Sequence, residues 1–76
     1  MRETDRKKFV DLASKRVTRA IKSINLIGNL SNRSNYDYTD EDVMKIFRAL
    51  QEELNSCKKR FEMASKGRAN KIFSLE

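Results

Sequence analysis

Two runs of apolar residues, each stepping alternately by three and four, constrain this chain more than any other feature. In the first, Val10, Ala13, Val17, Ala20, Ile24 and Ile27 follow one another at steps of three, four, three, four and three. In the second, Val43, Phe47, Leu50, Leu54, Cys57, Phe61 and Ala64 follow at steps of four, three, four, three, four and three. A half-buried strand alternates by two, so this spacing predicts one face of an α-helix in each run. Apolar residues at heptad a and d positions form a seam suited to helix–helix packing. Phe9, Ile21 and Leu26 widen the first seam, and Met44 and Ile46 flank the second, as a globular bundle requires. The chain has no Pro, and its two Gly residues, Gly28 and Gly67, stand where a helix is expected to stop. The expected fold class is all-α.

Start signals agree with the seams. Thr4 or Asp5 is the expected N-cap of the first helix. Thr39 is that of the second, because Asp40, Glu41 and Asp42 follow it and carboxylates in a first turn face the positive end of the helix dipole. Lys58, Lys59 and Arg60 lie toward the opposite, negative end. These signals place helix 1 at about residues 5–28, a loop at about 29–39 and helix 2 at about 40–65. Each helix would be about 36–39 Å long at ~1.5 Å per residue. Two helices of similar length, joined by about eleven residues, are expected to fold back as an antiparallel hairpin over residues 1–66, leaving 67–76 as a tail.

The chain has 76 residues, a length at which a single core is marginal without disulfides, metals or oligomerisation. One Cys cannot close an internal disulfide, and with no His it makes no metal site. Self-association remains, so the hairpin is expected to form a homodimeric four-helix bundle. Cys57 sits on a seam and reads as a small core hydrophobe. A lone Cys also suits a reducing, cytoplasmic setting. No apolar run reaches the ~20 residues that span a bilayer, and the charged start from Met1 to Lys8 is no signal peptide, so no membrane partner is expected.

No pattern marks an enzyme. There is no His base, no Gly-rich phosphate loop and no nucleophile spaced to a base, so no catalytic residue and no cofactor is expected. The acidic group at residues 40–42 reads as a helix start in preference to a cation site.

Charge is the stronger clue. Seventeen Lys and Arg stand against eleven Asp and Glu, a formal net charge of +6. Lys8, Lys15 and Lys22 recur every seven residues opposite the first seam, Arg16 and Arg19 flank them, and Arg6 and Lys7 extend the charge toward the N-terminus. Between residues 5 and 28 only Asp5 and Asp11 are acidic. A one-sided basic helix is the electrostatic footprint of a phosphate binder. It is also what a solvated, soluble helix face looks like. Helix 2 is nearly balanced, so the asymmetry belongs to helix 1.

Two other stretches could meet a partner. The connector from Asn29 to Tyr38 is long for a simple turn and rich in Asn, Ser and Tyr. Ser31, Asn32, Ser34 and Asn35 suit turns. Tyr36 and Tyr38 either cap a bundle end or, with Arg33, form a recognition loop. In the tail, Ile72, Phe73 and Leu75 either fold back or dock on a partner.

The segment from Arg16 to Phe61, above all Leu26-Ile-Gly-Asn-Leu-Ser-Asn-Arg-Ser-Asn-Tyr-Asp-Tyr-Thr-Asp-Glu-Asp-Val43, resembles small proteins carried by bacteria and their phages or mobile elements. That resemblance implies no biochemical activity, and it brings in protein-binding regulators of phage or mobile-element origin, anti-CRISPR inhibitors included. The architecture is similar to the Rop family of plasmid copy-number regulators, with Glu53-Leu-Asn-Ser-Cys-Lys-Lys-Arg-Phe61 similar to part of that family's second helix. The Rop resemblance implies an antiparallel four-helix dimer that binds RNA through the outer face of helix 1, where Lys8, Lys15, Arg19 and Lys22 would lie. The connector here is much longer than a Rop turn. The expected function is therefore a non-enzymatic nucleic-acid-binding or nucleic-acid-associated adaptor, with RNA or DNA as ligand. The alternative is a protein-binding inhibitor acting through the Tyr-rich loop and the tail.

Overall fold

The computed structural model describes residues 3–74, with side chains through residue 65. The described residues hold two α-helices and no strand, so the chain is all-α. It divides into two compact units, 1–37 and 38–76.

The first unit is built on α1, Glu3–Gly28, which passes into a short 3-10 turn at Asn29–Ser31. At about 1.5 Å per residue, α1 is about 39 Å long. It starts earlier than expected: Thr4 and Asp5 lie inside the helix, and Glu3 and Asp5 place carboxylates in its first turn, where they complement the dipole. Its end also differs in kind. Gly28 is right-handed, at φ −60° and ψ −29°, and carries no left-handed cap. The backbone instead tightens into i to i+3 bonding, a common way of satisfying terminal carbonyls.

Asn32 then redirects the chain. Its side-chain Oδ1 accepts a hydrogen bond from the backbone N–H of Ser34 at 3.0 Å. Its carbonyl accepts from the N–H groups of Asn35 at 3.1 Å and Tyr36 at 3.0 Å. A side-chain oxygen bonded to the backbone two residues on is the Asx-turn that makes Asn a turn residue. The connector is thus an organised turn in which Asn32 accepts three hydrogen bonds.

The second unit carries α2, Asp40–Ser74. Its start is a reciprocal cap. The Asp42 N–H donates to Thr39 Oγ1 at 3.0 Å, and the Thr39 N–H donates to Asp42 Oδ2 at 2.9 Å. This is a capping box with Asp in the usual Glu position. Glu41 and Lys45, one turn apart, pair at 3.7 Å in the favourable order, acid first. Gln51 Nε2 donates to Asn55 Oδ1 at 3.2 Å along the same helix.

Helix α2 runs past residue 65 and through Gly67 to Ser74, where an end and a tail were expected. A helical Gly costs about 1 kcal/mol relative to Ala, and the residues around it (Lys66, Arg68, Ala69) are good helix formers that carry the helix across. Ile72 and Phe73 therefore fall in helical backbone, but their side chains, and Leu75 altogether, lie outside the described residues.

Within each unit the apolar seam is open. None of the described side chains is buried. Ala13 and Ile27 on α1, and Val43 and Leu50 on α2, are half-buried. The larger seam residues of α2, Phe47, Leu54 and Phe61, stay 58–62 % exposed. Cys57 is exposed as well, so within its own unit it is no core residue.

Candidate nucleic-acid interface

The helical register of α1 decides which charges share a face. Residues three, four or seven apart are neighbours on a helix. Lys8, Lys15 and Lys22 are one heptad apart, and Arg19 stands four after Lys15 and three before Lys22, so the four form one line along α1. Lys8 and Lys22 are fourteen residues apart, which sets the line at about 21 Å.

Three of these cations meet at one place. Ser14, Lys15, Thr18, Arg19 and Lys22 line a shallow depression that is open to solvent. Two hydroxyls and three cations around one concavity are the donor set that phosphate contacts use. No ion pair within the described residues joins Lys8, Lys15, Arg19 or Lys22, so their charge is not neutralised locally. One carboxylate shares this side: Asp11 stands four before Lys15 and seven before Thr18.

The register removes two residues from the face the sequence assigned them to. Arg6 stands four before Val10 and seven before Ala13, on the seam side, and so does not extend the basic line. Arg16 is seven after Phe9 and four before Ala20, which places it at the edge of the apolar face and outside the depression. Leu26 moves the other way. It was expected to widen the seam, but it stands seven after Arg19 and four after Lys22, among the cations, and is 65 % exposed. The sequence already carried this signal in the Arg19–Leu26 heptad step.

The connector residues do not form one group. Arg33 lies in the Asn32 turn and Tyr36 follows it, 47 % exposed, in the first unit. Tyr38 is half-buried and belongs to the second unit. Tyr36 is thus available to a partner.

Among the described residues no group of His, Cys, Asp and Glu is arranged to hold a metal ion. No helix of the described residues is long and apolar enough to cross a membrane. At the head of α2, the Thr39 N–H, and then contact with the Thr39 hydroxyl, hold the Asp42 carboxyl below the usual carboxylate range, and Lys45 adds to this. That shift belongs to a helix cap, so it marks no reactive group.

No family model matches the chain, and neither does any curated protein or solved structure. The reading of function rests on the residues themselves.

Proposed function

We propose that this protein is a non-enzymatic nucleic-acid-binding adaptor that contacts phosphates through the outer side of α1. The observation that carries the reading is the convergence of Lys15, Arg19 and Lys22 with Ser14 and Thr18 on one open depression. Lys8 extends the line by one heptad. A second line on the same helix, the apolar seam, is left for assembly. The two seams, Val10–Ile27 and Val43–Ala64, are of similar length and open within their own units. The proposed assembly is a hairpin that pairs with a second copy into a four-helix bundle and so covers both seams, in a cytoplasmic protein. The basic lines of both copies then remain outside, ready for RNA or DNA.

Binding through phosphates releases counterions, so affinity must fall steeply with salt. The decisive variant replaces Lys8, Lys15, Arg19 and Lys22 together by Gln, which removes four charges and keeps good helix formers. The slope of log affinity against log salt is expected to shrink by roughly 0.7–0.9 for each lost contact. Unchanged binding and slope in this variant would defeat the reading.

A protein-binding inhibitor is the second reading, and the organised Asn32 turn with exposed Tyr36 favours it. Arg33→Ala, Tyr36→Ala and Tyr38→Ala together are expected to bind nucleic acid almost normally if α1 is the site. If this loop variant loses its ligand while the Gln variant keeps it, the order of the two readings reverses.

A further inference from the structure

Two charges at the edge of the α2 seam lack a counterpart on their own helix. Lys45, Arg48 and Lys58 each have a carboxylate four residues away, at Glu41, Glu52 and Glu62, where helix neighbours meet. Glu53 and Arg60 have none. The residues three and four away are Ala49, Leu50, Ser56 and Cys57 for Glu53, and Ser56, Cys57, Met63 and Ala64 for Arg60. The two stand seven apart on one edge of the seam, Glu53 just before Leu54 and Arg60 just before Phe61, so they share a side of the helix. Their separation along the axis is about 10.5 Å, far beyond the ~4 Å of an ion pair.

A copy of α2 turned antiparallel by a two-fold axis supplies what each lacks. In such a pair the a and d positions of the two seams face each other, and like edges meet. Setting Phe47 opposite Ala64, Leu50 opposite Phe61 and Leu54 opposite Cys57, each twice, gives six layers with apolar residues on both sides. This register brings Glu53 beside the second copy's Arg60, also twice. A shift of one heptad, with Leu50 opposite Leu54, keeps six apolar layers but sets Glu53 against Glu53. Parallel pairing faces Glu53 with Lys58, which has Glu62 one turn away, and leaves Arg60 beside Ser65. Helix α1 is unsuited to meet its own copy, since it carries seven cations against three carboxylates and repels itself.

We propose that two copies of this chain meet through their α2 seams, antiparallel, with Glu53 paired to the second copy's Arg60 at two symmetric places. This rests on the assembly reading and names its interface. It leaves the basic line of α1 clear of the contact between copies, so assembly and ligand binding use different helices.

The test is sedimentation of the full chain over a range of concentrations at low salt. Glu53→Lys alone and Arg60→Glu alone each set like charges face to face at both places. Each should raise the dimer dissociation constant by about tenfold or more, since two ion pairs are lost and two repulsions gained. Both substitutions keep good helix formers. The two variants mixed in equal amounts should recover the wild-type affinity as a heterodimer, because each supplies the charge the other lacks. Recovery on mixing cannot arise from a folding defect or from a contact within one chain. If the mixture dissociates as readily as its components, or if the single variants associate like the wild type, the inference fails and the assembly reading must use another interface. If the wild type sediments as a monomer at every concentration, the assembly reading fails with it.

Discussion

Thr39 and Asp42 show how much two side chains settle locally. Each satisfies the other's backbone N–H, at 3.0 and 2.9 Å, and together they fix where α2 begins. Thr39→Ala removes one acceptor and should cost about 1 kcal/mol of helix stability, the usual value for a lost N-cap, read by thermal or denaturant unfolding followed by circular dichroism. The Asp42 carboxyl is held below its ordinary value by the same contacts. A carboxyl whose folded pKa is depressed contributes stability that is present above its unfolded pKa and lost as pH falls through its folded pKa. The acid loss at α2 should therefore lie below the ordinary carboxylate range, and Asp42→Asn should flatten that limb of the unfolding curve. An unchanged acid limb in Asp42→Asn would show that other carboxylates set it. The Thr39 start was legible because Thr-x-x-Asp precedes an apolar period. The leading part of Asn32 was not, since Ser31, Asn32, Ser34 and Asn35 all suit turns and only geometry selects among them.

At the scale of elements, the two glycines part company. α1 ends at Gly28 as expected, yet Gly28 is right-handed and an added Cβ there would meet nothing within 4 Å. Gly28→Ala should therefore stabilise the protein, by about 0.4–1 kcal/mol, through the smaller freedom it leaves the unfolded chain. A destabilised Gly28→Ala, seen as a lower melting temperature, would mean that the position needs the conformations only Gly adopts. Gly67 is where the sequence misleads, since α2 continues through it. The helical class, the start of α2 at Asp40 and the end of α1 at Gly28 were all legible, because periodicity and carboxylate placement are local properties. The length of α2 was not, because one Gly among good helix formers carries too small a penalty to decide an end. At the candidate site, the heptad of Lys8, Lys15 and Lys22 is plain in the sequence, and so are the Phe9–Arg16 and Arg19–Leu26 heptad steps that move Arg16 out of the line and Leu26 into it, once each is followed along one continuous helix.

At the scale of the molecule, the open seams are the strongest physical demand. Val17, Ile21 and Ile24 on α1, with Phe47, Leu54 and Phe61 on α2, are left more than half exposed. Burying a Val, Ile, Leu or Phe side chain contributes about 1.5–3 kcal/mol, so the free energy available to any arrangement that covers both seams is large. If a second copy covers them, sedimentation should give about twice the 8.9 kDa chain mass. The melting temperature should also rise with protein concentration, because association stabilises the folded form by mass action. Val17→Glu places a carboxylate on the seam and should abolish the dimer, with loss of cooperative unfolding. Lys15→Gln, two residues away but on the opposite side, should leave mass and melting nearly unchanged, as surface substitutions usually stay within about 0.5 kcal/mol. The contrast between these neighbours separates assembly from ligand binding: the first variant should lose nucleic acid because the bundle is lost, the second only through its own phosphate. A cooperatively folded monomer at micromolar concentration, with a melting temperature independent of concentration, would instead mean that one chain covers its own seams, and the outer face of α1 would then act singly and not in pairs.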